Sequence, residues 1–422
     1  MIGDLPHDPR MRGFRSRSSV EAVERLIDDR VIVLGSEFVP LHDVYGRVLA
    51  DRVVAGWDVP PFNRAAMDGY AVRGEETFGS DTYSPAVFRL IGRSRPGEPF
   101  SGRVGPGDAV AIATGAPIPE GADAVARVES SRVVDSTIHI TEATPPRRHV
   151  GFAGEDVAAG ATVLSPSRIL RPQDLGVLSA LGFARVAVVK RPRITILITG
   201  DEILPAGSPP VGYKIADMNG PMLAALIARD GGSAKLIGPI RDDRAALREA
   251  IASASSDGDA LIVSGGSSTG PEDHAPSLVG ELGELAIHGV SLRPASPSGL
   301  GFVEGVPVLL APGNPVSCLC AYDLFGSRIV RRLGGRFNGG PYPRVDAPLA
   351  EKLVSSLGRV DYARVRFDEI GRVVPLATSG ASILSSTTRA DGFVLVPAAL
   401  EGYPEGVLVT VNLYGESARR RE

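Results

Sequence analysis

Cysteine is nearly absent from this chain of 422 residues, which contains only Cys318 and Cys320. The two residues are too close together for a structural disulfide, and their C-x-C spacing is not the C-x-x-C of redox and zinc motifs. These features exclude a disulfide-rich secreted domain. We expect two reduced thiols in a cytoplasmic protein, with no metal or redox role for either.

Long apolar runs and an excess of basic charge are also missing. No stretch approaches the roughly 18 apolar residues that a membrane span needs, and we expect no secretory signal because the start lacks an apolar core. The 45 basic and 49 acidic residues give a net charge of −4, whereas nucleic-acid binding usually needs a basic surface. The six histidines have no metal-ligand spacing. We therefore expect no membrane partner and no nucleic-acid partner.

Glycine and proline are plentiful, and a chain of this length divides into several domains. Helical patterns predict a discontinuous helix-rich linking domain over 18–56 and 145–188. Its first helix is expected over 18–29, where Ser18 and Glu21 match a capping box. Short apolar runs broken by Gly and Pro predict an inserted β-rich module over 57–144. Alternating residues return after 334 and predict a C-terminal β-barrel domain over 335–422.

Strands and helices alternate between residues 189 and 334. The apolar runs typical of buried strands are at 194–198, 234–240, 260–263 and 306–310, and helical patterns are at 218–228, 244–254 and 316–333. This order predicts a multidomain α/β protein whose central domain is a three-layer α/β structure around a parallel, doubly wound sheet.

Four turns follow the four predicted strands. They are Thr199-Gly200-Asp201-Glu202, Arg241-Asp242-Asp243, Ser264-Gly265-Gly266 leading to Glu272-Asp273, and Pro312-Gly313-Asn314-Pro315. Parallel strands end at one edge of a sheet, so we expect the four turns to meet in one crevice. Glycine amides there suit phosphate or another oxyanion, and the carboxylates suit a hydrated Mg²⁺.

Each turn alone has a simpler interpretation. A glycine after a strand is most often only a tight turn. Asp242 and Asp243 also fit the N-cap of the helix that starts at Arg244. His274 is more often solvated than catalytic in such a position. The prediction of a site therefore depends on the convergence of all four turns.

Several segments together resemble the molybdopterin molybdotransferases, that is, the MoeA type of bacteria and the E domains of gephyrin and its plant relative. The matching segments are Asp58-Val59-Pro60-Pro61-Phe62, Ala66-Met67-Asp68-Gly69-Tyr70-Ala71-Val72, Ala113-Thr114-Gly115-Ala116-Pro117, Gly154-Glu155-Asp156, Asp217-x-Asn219, Ile240-Arg241-Asp242-Asp243, and the first, third and fourth turns. They follow the family's order from about residue 18 to the end of the chain.

The resemblance implies four domains, with a MogA-like molybdopterin-binding sheet domain, and a homodimer. It implies a site between the sheet domain of one subunit and the β module of the other. The implied reaction inserts molybdate into adenylylated molybdopterin and releases AMP with the help of Mg²⁺. Molybdenum enzymes are possible clients of the product.

The resemblance also assigns residues. Asp68 and Thr114 are expected from the partner subunit's β module. Glu202, Asp242 and Asp273 are the expected catalytic acids, with Asp242 and Asp273 as metal ligands, and Asp156 supports a domain junction near the site. The substrate-binding residues by the same resemblance are Gly200, Asp201, Asp217, Asn219, Gly265, Gly266, Arg293, Ser296, Pro312, Gly313, Asn314, Pro315, Ser317, Arg359 and Ser382.

One segment departs from the family pattern. Where the family has Lys-Pro-Gly-Lys-Pro, with both lysines expected at molybdate, this chain has Arg293-Pro294-Ala295-Ser296-Pro297. One cation becomes Arg, which binds oxyanions differently from Lys, and the other becomes a neutral Ser. Two alternatives follow. One is a paralogue that binds or delivers molybdopterin or the finished cofactor without catalysis. The other is a transferase that uses tungstate or another pterin.

Overall fold

The structure of the chain is a computed structural model that describes residues 17–268, 273–337, 340–377 and 380–415. The predicted acid Glu272 lies outside the described residues. The chain forms two units, one of residues 39–45 and 51–186 and the other of 17–38, 46–50 and the chain from 187 onward. The predicted division into four domains, with its boundaries, stays a prediction.

The chain up to residue 189 contains mostly short strands. Its elements are α1 (Val20–Arg30), β1 (Ser36–Pro40), β2 (Val53–Val54), β3 (Arg64–Ala65), β4 (Gly69–Val72), β5 (Ala86–Ser94), β6 (Asp108–Ile112), β7 (Ala124–Arg127), β8 (Ser131–Val134), β9 (Thr137–Ile140), β10 (Val150–Gly151), β11 (Thr162–Leu164), α2 (Pro172–Ala180) and β12 (Arg185–Val189). Short 3₁₀ turns cover Leu41–Asp43, Gly74–Thr77 and Val128–Ser130.

A six-stranded sheet forms the centre of the predicted β-rich module. Its strand order is β7-β4-β6-β5-β9-β8, and only the β5–β6 pair is parallel. Both faces of the sheet are buried, one by a cluster that includes Val110 and Ile112 and the other by a cluster that includes Phe88 and Ile138. Because β4 and β6 are antiparallel, the start of β4 and the end of β6 lie side by side, with Gly69 opposite Ile112.

The cap of helix α1 differs from the predicted capping box of Ser18 and Glu21. The N-cap is Ser19, whose side-chain oxygen accepts a hydrogen bond from the Ala22 amide at 3.2 Å. Ser18 cannot cap the helix because its amide donates to the Gly289 carbonyl and it bridges Val290 in a strand-like pairing. The prediction of Ser18 as the cap was therefore wrong by one residue.

The next part of the chain forms the predicted sheet domain. Its elements are β13 (Arg193–Thr199), β14 (Ile203–Leu204), β15 (Ile215–Ala216), α3 (Asn219–Arg229), β16 (Ser233–Ile240), α4 (Arg244–Asp257), β17 (Ala260–Ser264), α5 (Ala275–Leu282), β18 (Glu284–His288), β19 (Leu292–Arg293), β20 (Gly299–Val303), β21 (Val306–Ala311), α6 (Pro315–Ala321) and α7 (Ser327–Leu333). A π-helical turn, Tyr322–Gly326, joins α6 to α7.

The sheet has the order β16-β13-β17-β21-β20-β18. The first four strands are parallel, while β20 and β18 add an antiparallel extension that was not anticipated from the sequence. One apolar cluster that includes Ile196, Leu223 and Ile227 covers one side, and another that includes Leu261 and Ile251 covers the other. The parallel part therefore places the ends of four strands along one edge.

Most of the C-terminal elements form a third mixed sheet. The elements are β22 (Arg344–Pro348), β23 (Leu353–Val354), β24 (Val360–Phe367), β25 (Val373–Ala377), α8 (Ser385–Thr388), β26 (Gly392–Val396), β27 (Gly402–Tyr403) and β28 (Leu408–Leu413). The strand order is β19-β24-β26-β28-β22, with β25 also paired to β24. Strand β19 precedes β20 of the second sheet in the chain but pairs with β24, so Arg293 lies directly beside Asp361.

Asp323, in the π-helical turn, is a buried carboxylate that links this helix to the C-terminal sheet. Its Oδ1 accepts a hydrogen bond from the Tyr342 hydroxyl at 2.7 Å, and its Oδ2 accepts one from the Tyr362 hydroxyl at 2.9 Å. Burial raises the pKa of Asp323 to about 6, against the opposing effect of Arg229. Among the described helices, none is long and apolar enough to cross a membrane.

We predict that Asp323 makes the free energy of unfolding depend on pH. Because the pKa of Asp323 in the folded state lies above the ordinary value of 3.8, the folded state holds the proton more tightly. The stabilisation is complete below about pH 4 and is lost as the pH rises through about 6, by up to ~3 kcal/mol. In urea unfolding, the free energy of unfolding of the wild type minus that of Asp323→Asn should fall by this amount between pH 4 and pH 7. Parallel curves for the two proteins would contradict the prediction.

Candidate functional site

A cleft of about 650 Å³ lies at the carboxyl edge of the parallel strands. Each of the four predicted turns contributes to its wall. The predicted residues in the wall are Gly200, Glu202, Asp217, Asn219, Asp242, Gly265, Gly266, Asp273, Pro312, Gly313, Asn314, Pro315 and Ser382. The structure therefore brings together the turns that the sequence pattern places at one edge, and their individual roles stay predictions.

Gly265 allows the third turn to approach the first. Its φ of +101° lies in the left-handed region, and a Cβ built there would be 2.6 Å from the Thr199 carbonyl oxygen and 2.7 Å from its hydroxyl. Thr199 is buried, and its hydroxyl has no hydrogen-bond partner among the described residues. An unpaired buried hydroxyl is costly. The Thr199 hydroxyl lies beside the first and third turns, where a polar ligand or a water molecule would supply the hydrogen bond that it lacks.

Asp217 and Asn219 hold the turns in place from the start of helix α3. One oxygen of Asp217 accepts hydrogen bonds from the amides of Asn219 and Gly220, both at 2.9 Å. The side-chain Nδ2 of Asn219 donates to the Ser264 hydroxyl at 2.9 Å and to the Gly313 carbonyl at 2.8 Å. Asn219 therefore joins the third turn to the fourth turn. Both residues are buried, so we assign them a positioning role rather than open contact with a ligand.

The charge of the cleft is one-sided. Its wall contains the carboxylates of Glu202, Asp217, Asp242 and Asp273, and no Lys or Arg is found among the described residues that line it. The Asp201 amide donates to Asp242 at 3.3 Å, which links the first turn to the second, although the Asp201 side chain is not part of the wall. An anionic ligand would be repelled here unless a cation accompanied it.

The donor set fits Mg²⁺ better than a metal held fully by protein. Within the described residues no group of three or more His, Cys, Asp or Glu side chains is arranged to hold a metal ion. Mg²⁺ usually keeps several waters and takes one or two carboxylates together with phosphate oxygens. Asp242 and Asp273, on two different turns of the cleft, fit that pattern.

His288 was missed by the sequence analysis. It is the last residue of β18, and its Nε2 hydrogen-bonds the Ser267 carbonyl oxygen at 3.0 Å, so this nitrogen carries the proton. Burial lowers the pKa of His288, while the hydrogen bond to Ser267 and the charge of Asp273 oppose that shift. The ring therefore supports the third turn from behind. Only the antiparallel strand, which was not predicted, could have indicated this position.

Other residues of the wall were also missed because they carry no recognisable motif. They are Ile198, Ile203, Ile215, Ala216, Met218, Ser267 and Ser268. Most of them adjoin a predicted turn, so strand-end position was the only signal that could have found them.

The expected oxyanion cation Arg293 is engaged elsewhere. Its guanidinium forms a two-point pair with Asp361, with Nε 2.8 Å from Oδ1 and Nη2 on Oδ2. Asp361 is fully buried and also accepts a hydrogen bond from Ser355 at 2.7 Å. Arg359 lies beside the same carboxylate, with its Nε 3.8 Å from Oδ1. Neither arginine lines the cleft.

Two predicted serines are also outside the cleft wall. Ser317 is buried in helix α6. The Ser296 hydroxyl is buried with no hydrogen-bond partner among the described residues. Ser382 does reach the wall, where its hydroxyl donates to the Asn314 side-chain oxygen at 2.8 Å and so connects the fourth turn to the C-terminal segment.

Asp68 and Thr114 lie in the other unit, at the paired ends of β4 and β6. One oxygen of Asp68 accepts hydrogen bonds from the Thr114 amide at 2.7 Å and from its hydroxyl at 2.9 Å. These bonds lower the pKa of Asp68, so the carboxylate is ionised at neutral pH. Asp156 lines a separate cavity of about 310 Å³ in the same unit, together with Val59 and residues of α2.

These features define a multidomain α/β protein with an acidic, glycine-lined cleft at the edge of a parallel sheet. Comparison with known proteins agrees. Three family models match, described as the MoeA N-terminal region (domains I and II) over 18–182, a probable molybdopterin binding domain over 195–332, and the MoeA C-terminal region (domain IV) over 346–414.

Relatives match along nearly the whole chain. A putative molybdopterin biosynthesis protein from Methanocaldococcus jannaschii is 34% identical over 89% of this chain and 91% of its own length. Molybdopterin molybdenumtransferase 2 from Mycobacterium tuberculosis is 32% identical over 90% of this chain and 95% of its own. The crystal structure of a molybdopterin biosynthesis MoeA protein from Pyrococcus horikoshii superposes with a TM-score of 0.83, at 34% identity, over 95% of this chain and 100% of that one.

This chain belongs to the MoeA family. The predicted family and fold class are confirmed, and so is the prediction of an enzyme of the transferase class.

We predict that Gly265→Ala disturbs the cleft more than a glycine change nearby. Gly207 has a similar left-handed φ of +79°, but a Cβ there would have no neighbour within 4 Å. Gly207→Ala should cost about 1–2 kcal/mol from backbone strain alone. Gly265→Ala adds the clash with Thr199 and should lower the free energy of unfolding by at least about 1 kcal/mol more. Equal losses in urea unfolding would contradict this account of the turn.

Proposed function

We propose that this protein is a molybdopterin molybdenumtransferase that takes adenylylated molybdopterin and molybdate as substrates and releases AMP with the help of Mg²⁺. The observation that carries the proposal is the cleft itself, where glycine turns lie beside four carboxylates and no described basic side chain. Such a wall suits a phosphate-linked substrate only when a divalent cation accompanies it.

Each part of the cleft has a chemical role in this proposal. The turns of Gly200, Gly265 and Gly313 let backbone approach the phosphate closely. Asp242 and Asp273 are the residues that would hold Mg²⁺, and Glu202 completes the acidic wall. When bound, Mg²⁺ neutralises phosphate charge as AMP departs. We infer that the reaction depends on orientation and electrostatics rather than on a covalent intermediate, because glycine turns and carboxylates in the wall suit the stabilisation of charge.

The support from the second subunit is also part of the proposal. Asp68 and Thr114 are exposed and hydrogen-bonded to each other. We infer that in a homodimer this pair completes the cleft of a neighbouring copy. The free thiols of Cys318 and Cys320 fit the predicted cytoplasmic location, where molybdenum enzymes would receive the product.

We predict that Asp273→Asn slows AMP release by on the order of 10- to 100-fold. The change removes one negative charge and weakens the metal site without altering side-chain size. The matched control is Asp243→Asn, because Asp243 is exposed and caps helix α4, a role that Asn also fills. The measurement is AMP released from adenylylated molybdopterin in Mg²⁺ and molybdate. Unchanged turnover in the Asp273 variant would remove that residue from the proposed mechanism.

The pairing of Arg293 with Asp361 favours one alternative, a protein that binds or delivers the pterin without inserting metal. In that case Arg293, the cation expected at molybdate, has a structural role in its pair with Asp361 instead. The same assay separates the two functions. Stoichiometric binding of adenylylated molybdopterin with no AMP release would favour the binding protein, whereas repeated AMP release that depends on molybdate would favour the enzyme.

A further inference from the structure

A second cavity, of about 440 Å³, lies at the other end of the helix that reaches the cleft. Pro315, at the start of α6, lines the cleft, and Arg331 and Arg332, at the end of α7, line this cavity. We call it the basic pocket and define it by five arginines, Arg328, Arg331, Arg332, Arg336 and Arg344. Its lining carries three carboxylates, Glu24, Asp28 and Asp323. The basic pocket therefore has the opposite charge to the cleft.

Two of the arginines have structural roles. Arg328 donates from Nε to Oδ1 of Asp28 at 2.9 Å. Arg332 is 3.3 Å from the same oxygen and also donates to the Val31 carbonyl at 2.8 Å. Both interactions attach helix α1 to helix α7. Arg328 also lies 3.6 Å from Glu24, so two carboxylates, Glu24 and Asp28, serve these two guanidinium groups.

Arg336 and Arg344 are not neutralised in this way. Arg336 donates to the Gly46 carbonyl at 2.6 Å, and Arg344 donates to the Asn412 side-chain oxygen at 3.2 Å. Both acceptors are neutral. Within the part of the chain that the structure describes, no ion pair to a carboxylate within 4.0 Å forms at either guanidinium.

The side chain of Arg336 is held in place by packing against the backbone. Its guanidinium lies against Gly231, where a Cβ would come within 2.6 Å of three guanidinium atoms. Burial lowers the pKa of Arg336 and the charge of Arg331 lowers it further, while Asp230, which lies 3.7 Å from Arg331, opposes the shift. A partly buried cation beside a second cation is unfavourable, and an anion between the arginines would relieve that cost.

Aromatic side chains form another part of the wall. Phe337, Tyr342 and Phe393 line the cavity, and the ring of Phe337 is half exposed. Tyr342 is fixed edge-on to Phe393, with ring centroids 5.3 Å apart. A flat heterocycle could rest against the exposed Phe337 ring while its charged group reaches the arginines.

We propose that the basic pocket is a binding site for a phosphate monoester of an aromatic compound, of the mononucleotide class. The phosphate is bound by Arg336 and Arg344, and the ring contacts Phe337. This site is distinct from the cleft and does not depend on the proposed function.

The opposite charges of the two sites provide a direct test. In EDTA at low ionic strength the acidic cleft has no cation to attract phosphate, so binding reports the basic pocket. Titration calorimetry with inorganic phosphate and with AMP should show binding of both, and AMP should bind more tightly. Arg344→Gln should weaken both at least about tenfold, because a charged hydrogen bond to phosphate is lost. Arg344 is exposed, so its substitution leaves the fold intact.

Two controls fix the interpretation. Arg103→Gln removes the same charge from an exposed arginine that faces Glu120 in the other unit, and it should leave both affinities within about twofold. Asp273→Asn alters the cleft alone and should also leave them unchanged. Three results would overturn the site. Neither probe binds, Arg103→Gln weakens binding as much as Arg344→Gln does, or the Asp273 variant no longer binds the probes. AMP binding no tighter than phosphate would overturn the contact with Phe337.

Discussion

The parallel pairing of β16, β13, β17 and β21 is the constraint on which the site depends. It fixes where four turns meet, whatever their sequence. The turns can then meet closely only because Gly265 leaves room for Thr199, and they stay in register because Asn219 hydrogen-bonds two of them. Fold and site are therefore specified by the same hydrogen bonds, with the reactive groups placed on a rigid edge.

Charge separates the two ends of this unit. Carboxylates dominate the cleft at the start of the long helix, and arginines dominate the pocket at its end. The helix dipole favours both arrangements, because the N-terminal end of a helix attracts anions and the C-terminal end attracts cations. The acids at the cleft therefore agree with the helix dipole, and in the proposed function a metal ion would reconcile them with an anionic substrate. The arginines at the other end agree with the dipole, yet Arg336 and Arg344 remain without an acidic partner among the described residues.

The sequence predicted the four strands, their turns and the resulting crevice because those features follow from local patterns and one rule about strand ends. It did not predict the engagement of Arg293, since that requires strand β19 to leave one sheet and pair with β24 of another. His288 was missed for a similar reason, because β18 and β20 are short antiparallel strands without clear alternation. The cap of α1 was wrong by one residue, since the long-range pairing of Ser18 with Val290 overrides a local signal.

The central claim is that the acidic cleft binds a phosphate-linked pterin together with a divalent cation. A crystal structure of the protein with adenylylated molybdopterin and Mn²⁺ in place of Mg²⁺, with anomalous data collected for manganese, tests it most directly. The account predicts a manganese peak between Asp242 and Asp273, with the substrate phosphates beside Gly200, Gly265 and Gly313. A substrate bound at another surface, with no manganese at the two carboxylates, would contradict it.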